Sequence, residues 1–196
     1  MSIVIVNTSC ANLFSLQVAI KRLGYNALIS DHIQDIVNAE KVFFPGVGSA
    51  KSVMRVLKNK NLINIIRKLT QPVLGICLGM QLFSRTSAES NHCKMLKIIP
   101  DITIKLNSKE YSLPHIGWNQ VYYTKNNILF KKINPGTRFY FLHSYCIYIS
   151  QYTIAFTEHG SCFSSAIQKN NFFGVQFHPE KSGTNGLQLL KNFLEI

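Results

Sequence analysis

The chain has 196 residues, of which 46% are hydrophobic and 15% are charged, a composition that is typical of a folded protein and excludes a disordered one. No apolar run approaches the roughly 18–20 residues that a membrane span requires, and the opening Met-Ser-Ile-Val-Ile-Val lacks a basic signal-peptide leader. The net charge of +12 does not indicate a nucleic-acid binder, because the lysines are spread along the chain, so we expect a cytoplasmic protein with a basic surface and neither a membrane nor a nucleic acid as partner.

The first half of the chain alternates short apolar strands with amphipathic helices. Apolar runs predict strands at 2–6, 27–29, 42–44 and 72–76. Helical spacing of apolar residues predicts helices at 12–23, 50–57 and 62–69, and a further helix opens directly after Cys77. This alternation predicts an α/β fold with a mainly parallel sheet covered on both sides.

The second half is richer in β-strands. Short strands are predicted at 102–106, 120–123 and 139–142, followed by a buried strand at 172–177 and a closing helix at 187–194. We expect these strands to add antiparallel pairs to the parallel sheet. Since no linker or repeat interrupts the sequence, residues 1–196 are expected to form a single domain.

Cys77 lies in a Gly-x-Cys-x-Gly sequence, residues 75–79, between a buried strand and a helix. This context predicts a nucleophile elbow, in which glycines permit close packing beside a strained turn and the backbone N–H of Leu78 faces a developing oxyanion. The other cysteines lack this context: Cys10, Cys93, Cys146 and Cys162. The five cysteines of the chain are odd in number and widely spaced, which argues against a disulfide framework and a zinc site, so no metal is expected.

A cysteine nucleophile needs a base, and His178 is the best of the six histidines. It ends the predicted strand 172–177, and Glu180 follows two residues later, on the same side if the segment is extended. Such a carboxylate would orient the imidazole. His143 and His115 have no carboxylate nearby in sequence, and the segments around 32, 92 and 159 are predicted to be loops or helix starts.

The Pro-Gly-Val-Gly sequence at 45–48 follows the third predicted strand. It matches neither a phosphate-binding loop nor a dinucleotide fingerprint. It is suited to supplying a second oxyanion donor through Gly46 and Val47, although a simple tight turn is the alternative.

The elbow at 75–81 and the His-Pro-Glu sequence at 178–180 together resemble the class I, or triad, glutamine amidotransferases. Segments 45–48, 114–119, 139–145 and 171–182 make the set similar to the glutaminase subunits of imidazole glycerol phosphate synthase. The resemblance runs from the first strand to the last helix.

This resemblance implies a flavodoxin-like, three-layer α/β domain that hydrolyses L-glutamine to glutamate and ammonia without a cofactor. It implies a heterodimer with a (β/α)₈-barrel cyclase subunit, which receives the ammonia and makes imidazole glycerol phosphate and an aminoimidazole carboxamide ribotide. The residues implied to hold glutamine are Gly48, Gln81, Ser144 and Tyr145. Those implied to face the cyclase are Asn12, Trp118, Tyr140 and Lys181.

Two other interpretations remain open from the sequence. One is the glutaminase component of another synthase, such as anthranilate synthase, and the other is a non-catalytic scaffold subunit. The chain also departs from the family pattern after the first strand, where Asn7 and Ser9 replace a common aspartate and glycine. This departure leaves the triad intact and affects the expected loop at 7–12.

Overall fold

The computed structural model describes residues 1–8, 13–89, 92–108, 111–123 and 127–196. In the first half of the chain, the strands are β1 Ile3–Val6, β2 Ala27–Ser30, β3 Lys41–Gly46 and β4 Val73–Cys77. The helices there are α1 Leu13–Arg22, α2 Ile33–Asn38, α3 Ala50–Asn59, α4 Leu62–Arg67 and α5 Leu78–Gln81.

The second half contains nine strands and one α-helix among the described residues. The strands are β5 Thr86–Ser87, β6 Cys93–Lys94, β7 Ile102–Lys105, β8 His115–Val121, β9 Thr137–His143, β10 Tyr145–Ile147, β11 Thr153–His159, β12 Ser161–Lys169 and β13 Phe172–Val175. The helix is α6 Gly183–Leu194, and short 3-10 turns cover Ile128–Phe130 and Pro179–Lys181.

A seven-stranded sheet with the order β11-β12-β13-β4-β3-β1-β2 forms the centre of the molecule. Its five strands from β13 to β2 are parallel, whereas β12 and β11 are added antiparallel at one edge. The predicted α/β class, with a mainly parallel sheet and added antiparallel strands, is therefore confirmed. Two smaller sheets, β10-β7-β5-β6 and β8-β9, lie outside it.

Apolar side chains fill both faces of the central sheet. In β1, Ile3 and Ile5 pack into one cluster with α1, α6 and the inner face of β9, whereas Val4 and Val6 pack into a second cluster with α2, α3 and α4. Because successive side chains of a strand point to opposite faces, the sheet must be covered on both sides. The outcome is a three-layer arrangement.

The carboxyl ends of three neighbouring parallel strands meet at one edge of the sheet. The register pairs Gly46 at the end of β3 with Cys77 at the end of β4, and Val175 at the end of β13 with Ile76. The residues that follow β13 therefore emerge next to Cys77. This register brings chain segments about 30 and 100 residues from Cys77 to the same point.

Several strands of the second half were predicted with wrong bounds or were missed, because buried polar residues interrupt their apolar pattern. The strand expected at 120–123 is β8, which covers His115–Val121. The helix expected directly after Cys77 is present as α5, which has four residues. The β11–β12 hairpin was missed, and His159 ends a strand instead of lying in a loop. Buried Thr157 and Ser164 break the apolar alternation by which such strands are recognised.

Candidate active site

Cys77 occupies a strained turn between β4 and α5, with φ 54° and ψ −111°. The flanking glycines are required by close packing: a Cβ on Gly79 would lie 1.7 Å from the carbonyl oxygen of Phe44, and one on Gly75 would lie 2.8 Å from the backbone of Gly79. Only glycine avoids these overlaps. The structure therefore has the elbow geometry that the Gly-x-Cys-x-Gly sequence predicts.

His178 and Glu180 form a buried pair close to this turn. The Nδ1 atom of His178 lies 2.8 Å from Oε1 of Glu180, and the two side chains are only 3% and 4% exposed. Burial by itself lowers the pKa of His178, but the charge and hydrogen bonding of Cys77, together with Glu180, raise it to about 10. The neighbours of the imidazole thus favour its charged form, whereas burial opposes it.

The path of the chain between these two residues differs from the predicted one. His178 is extended, with φ −100° and ψ 97°, but Pro179–Lys181 forms a 3-10 turn instead of continuing the strand. The turn is stabilised by Ser182, whose hydroxyl donates to the His178 carbonyl oxygen at 2.6 Å. The contact with Glu180 therefore arises from a turn and not from strand alternation.

Gln176 is a site residue to which the sequence pattern assigned no role. It is fully buried, and its Nε2 atom donates to Sγ of Cys77 at 3.6 Å while its Oε1 accepts from Nε2 of Gln81 at 3.0 Å. The register of β13 with β4 explains its place, since it follows Val175. Its position two residues before His178 was the available signal.

A cavity of about 260 Å³ opens in front of the sulfur. It is lined by Gly46, Val47, Gly48, Cys77, Leu78, Gln81, Glu89, Pro114, Leu142, His143, Ser144, Tyr145 and His178. All the predicted oxyanion and glutamine-contact residues are therefore brought to one cavity. Glu89 was not predicted; one of its carboxylate oxygens accepts from the backbone N–H of Ala50 at 2.8 Å.

The loop after β3 lies against the elbow. A Cβ on Gly46 would be 2.7 Å from the backbone nitrogen of Gly79 and 2.8 Å from Cβ of Leu78, so the approach of the two segments requires glycine. Gly48 has φ +87°, a left-handed conformation that favours glycine. The loop thus brings its backbone to the Leu78 side of the cavity.

The opposite wall of the cavity is formed by Ser144 and Tyr145. The Tyr145 carbonyl oxygen accepts from Nε2 of Gln81 at 2.7 Å and from Nδ1 of His143 at 3.0 Å. The Ser144 carbonyl oxygen accepts from the backbone N–H of Leu106 at 2.9 Å. Hydrogen bonds from three elements therefore fix this wall.

The residues expected to face a partner cluster on the outer face of β8 and β9, except for Asn12, which lies outside the described residues. Trp118 is 53% exposed and packs edge-to-face on Tyr140, with ring centroids 6.3 Å apart. The ammonium group of Lys181 lies 5.7 Å from the centre of the Tyr140 ring. Ile116 and Leu142 extend this exposed apolar surface.

Among residues 1–8, 13–89, 92–108, 111–123 and 127–196, no group of three or more His, Cys, Asp or Glu residues could hold a metal ion. Within the same ranges, no helix combines the length and the apolar character needed to cross a bilayer.

Comparisons with known proteins agree with this geometry. The family model described as glutamine amidotransferase class-I matches residues 4–196. Imidazole glycerol phosphate synthase subunit HisH from Buchnera aphidicola subsp. Acyrthosiphon pisum (strain APS) is 56% identical over all of both chains. The HisH protein of Buchnera aphidicola subsp. Schizaphis graminum (strain Sg) is 54% identical, again over all of both chains.

A solved structure is similar in fold. It is the glutaminase domain of Trypanosoma brucei CTPS with bound acivicin, which matches with a TM-score of 0.70 over 100% of this chain and 94% of that one. The two sequences are only 16% identical, so this likeness concerns the fold alone.

Proposed function

Because the chain belongs to the class-I glutamine amidotransferase family, and within it to the HisH subunits of imidazole glycerol phosphate synthase, we propose that Cys77 releases ammonia from L-glutamine for a cyclase subunit. The HisH subunits act in histidine biosynthesis. The observation that carries the proposed mechanism is that Cys77 and His178 line one cavity, while buried Glu180 contacts the His178 ring from behind at 2.8 Å.

In the first step, the Cys77 thiolate attacks the side-chain amide carbon of glutamine, forming a carbon–sulfur bond and placing negative charge on the amide oxygen. The backbone N–H of Leu78 and the loop at Gly46 and Val47 stabilise this oxyanion. Support comes from the pairing of Gly46 with Cys77, which brings both donor segments to the sulfur.

The charged His178 then gives its proton to the amide nitrogen, the carbon–nitrogen bond breaks, and ammonia leaves. The enzyme remains as a glutamyl thioester on Cys77. Water attacks the thioester as His178 takes a proton back, the carbon–sulfur bond breaks, and glutamate is released. Glu180 fixes the ring through its 2.8 Å contact with Nδ1, which leaves Nε2 for this proton transfer.

Gln176 adds a donor to the sulfur. Its Oε1 accepts from Gln81, so its Nε2 must be the atom that faces Sγ of Cys77. An N–H directed at the sulfur interacts favourably with negative charge there, in the same sense as the neighbouring imidazolium. We propose that Gln176 belongs to the catalytic machinery.

The cavity is suited to the backbone groups of glutamine as well as its amide. The proposed contacts are Gly48, Gln81, Ser144 and Tyr145, to which the structure adds Glu89. A carboxylate in the cavity attracts the α-ammonium group of an amino acid. We assign this role to Glu89, whose position next to the first turn of α3 is held by the Ala50 N–H.

The partner is proposed to be a (β/α)₈-barrel cyclase that forms a heterodimer with this chain and receives the ammonia directly. The exposed surface of Ile116, Trp118, Leu142, Tyr140 and Lys181 supports this docking, because exposed aromatic and apolar clusters are typical of protein interfaces. His178 is adjacent, since its backbone N–H donates to the Tyr140 carbonyl at 2.9 Å. Ammonia therefore has a short route to the interface.

We also propose that residues 1–196 work as one domain in the cytoplasm. The spread of the two apolar clusters over both halves of the chain supports a single folding unit. The four described cysteines are all unpaired, which is consistent with a reducing compartment.

The test is glutamate release from glutamine by the full chain, with and without the cyclase subunit and its nucleotide substrate. We expect strong stimulation by the cyclase, and its complete loss in Cys77→Ser, which preserves side-chain size. Cys162→Ser is the matched control, because Cys162 is exposed and away from the cavity, and it should retain the wild-type rate. A trapped glutamyl adduct should map to the Cys77 peptide.

Three results would contradict parts of this proposal. Glutamate release that persists in Cys77→Ser would show that Cys77 is not the nucleophile. Release that is indifferent to the cyclase would keep the nucleophile but point to a different synthase. A folded wild-type chain that is inactive under every condition would favour a scaffold.

A further inference from the structure

Two buried histidines, His115 and His143, take no part in the proposed chemistry. They face each other across β8 and β9, with Nδ1 of His115 3.1 Å from Nε2 of His143. They are 3% and 6% exposed, and they lie on the inner face of this two-stranded sheet, opposite the exposed apolar surface. A buried polar pair of this kind costs stability unless its hydrogen bonds are complete.

The hydrogen bonds of this pair have a single consistent direction. Nδ1 of His143 faces the Tyr145 carbonyl oxygen at 3.0 Å, and a carbonyl can only accept, so this nitrogen carries the proton. Nε2 of a neutral His143 is then an acceptor, and Nδ1 of His115 must donate to it. The remaining nitrogen of His115, Nε2, accepts from the amide of Asn119 at 3.2 Å.

The orientation of Asn119 is fixed in turn. Its amide nitrogen also donates to the Glu158 carbonyl oxygen at 2.9 Å, and its amide oxygen accepts from the backbone N–H of Gln120 at 2.7 Å. The series of bonds thus begins at a side chain that cannot be flipped without losing two partners. Along the series from Asn119 through His115 and His143 to the Tyr145 carbonyl, each N–H donor therefore has an acceptor.

The surroundings of the pair keep both rings neutral. His115 is stacked on Phe141 and on His159, and His143 packs edge-to-face on Phe163. Burial lowers the pKa of His115 to about 4, with a smaller effect from His159, and lowers that of His143 to about 3, with a smaller effect from His115. A neutral ring has one donor and one acceptor, which is what the series of bonds requires.

The series ends at the wall of the cavity. The Tyr145 carbonyl accepts from both His143 and Gln81, and Gln81 passes a hydrogen bond to Gln176, which contacts Cys77. If His143 carried its proton on Nε2 instead, two lone pairs would face each other at the Tyr145 carbonyl. The conformation of this wall therefore depends on the tautomer of His143.

We propose that His115 and His143 are positioning residues that hold the Ser144–Tyr145 wall and Gln81 in the conformation that binds glutamine, by fixing one tautomer of His143. The inference rests on the proposed glutaminase function and assigns it two residues that do not react with the substrate. His115 does not line the cavity, so it acts through His143.

The test compares two variants of nearly equal size, His115→Asn and His115→Leu. Asparagine can place an N–H near the position of Nδ1 and preserve the donor to His143, whereas leucine removes it. We expect His115→Leu to raise the KM for glutamine by about tenfold, the effect typical of leaving a buried hydrogen-bonding group without its partner, with kcat changed by less than about threefold. His115→Asn should restore most of the affinity.

Because both variants lose the same ring volume, a merely structural role would lower the melting temperature of both and leave their KM values equal. Equal KM values in Asn and Leu variants that are folded by circular dichroism would overturn the proposal. A kcat effect without a KM effect would do the same.

A second measurement needs neither variant. Nitrogen-15 NMR of the wild-type chain labelled at histidine should give, for both His115 and His143, a protonated Nδ1 and an unprotonated Nε2 at neutral pH. A proton on Nε2 of either ring would overturn the proposal. A wild-type chain with these tautomers that lacks glutaminase activity even with the cyclase subunit and its nucleotide substrate would overturn the proposed function instead.

Discussion

His178 and His143 both line the cavity and are almost equally buried, at 3% and 6% exposure. Their electrostatics are opposite. The pKa of His178 is raised to about 10, whereas that of His143 is lowered to about 3. The two rings lie in one site, so the difference must come from their immediate neighbours.

Burial opposes the charged form in both cases. At His178 it is outweighed by the sulfur of Cys77 and by the carboxylate of Glu180, which lies 2.8 Å from the ring. At His143 the neighbours are a backbone carbonyl and a second histidine, and no carboxylate contacts the ring among the described residues. One residue type thus supplies a charged proton donor in one place and a neutral, directional hydrogen-bonding group in the other.

The largest predicted effect comes from removing the carboxylate that separates the two cases. Glu180→Gln preserves the size of the side chain but leaves the imidazolium without its charge partner. We expect kcat/KM for glutamine to fall by up to about 10⁴-fold, the loss found when the orienting acid of a Ser-His-Asp triad is neutralised. The pKa of His178 should fall as well, because one of the groups that raise it is lost.

Steady-state kinetics across pH and an NMR titration of His178 measure these two changes. Glu195→Gln is the matched control, since Glu195 is exposed and pairs only with Lys191 on α6 among the described residues. A Glu180→Gln enzyme with a wild-type rate would show that catalysis by His178 does not depend on this carboxylate.

The charged pair of His178 and Glu180 could be predicted from the sequence, whereas the neutral pair of His115 and His143 could not. Cys77 lies in one short motif and His178 and Glu180 in another, and their glycines and proline constrain the local backbone, so each motif could be recognised from its own sequence although the two meet only through the pairing of β13 with β4. His115 and His143 are 28 residues apart, and their contact depends on the β8–β9 register. Gln176 likewise depends on the pairing of β13 with β4.

A similar limit applied to the fold. The strands of the parallel sheet are apolar on both faces and were recognised as buried runs, as at β4. The β11–β12 hairpin was missed because its buried residues include polar Thr157, Ser164 and Ser165, whereas a core is recognised from apolar residues. Packing against the rest of the molecule, and not local preference, makes that hairpin.

A smaller effect is expected from placing a carboxylate beside the neutral pair, because it should favour the charged form of His115. Asn119→Asp places a carboxylate where the amide now lies, 3.2 Å from Nε2 of His115. We expect the pKa of His115 to rise by about 1–3 units, the effect of an opposite charge at hydrogen-bonding distance. NMR titration of the labelled histidines measures the shift.

Gln120→Glu is the control for this change, because it adds the same charge one residue away on the exposed side of β8. It should leave the pKa of His115 near its wild-type value. An unchanged pKa of His115 in Asn119→Asp would contradict this explanation. It would show that a neighbouring carboxylate does not decide whether a buried histidine of this site is charged.

The smallest effect concerns stability in acid. The pKa values of His115 and His143 are lowered in the folded protein, to about 4 and about 3, from an ordinary value of 6.5. Between these limits the unfolded chain binds more protons than the folded one, so the stability contributed by the neutral pair is complete above pH 6.5 and is lost as the pH falls below it. The slope reaches about 1.4 kcal/mol per pH unit for each histidine.

Urea denaturation between about pH 7 and about pH 5 measures this slope, and Asn119→Asp isolates its source. If the variant raises the pKa of His115 toward 6.5, His115 binds nearly as many protons in the folded state as in the unfolded state, and its contribution to the slope disappears. The free energy of unfolding of the variant should then fall less steeply than that of the wild type on acidification. Parallel curves for the two proteins would mean that other groups cause the acid sensitivity, and that the neutral state of His115 has no effect on stability.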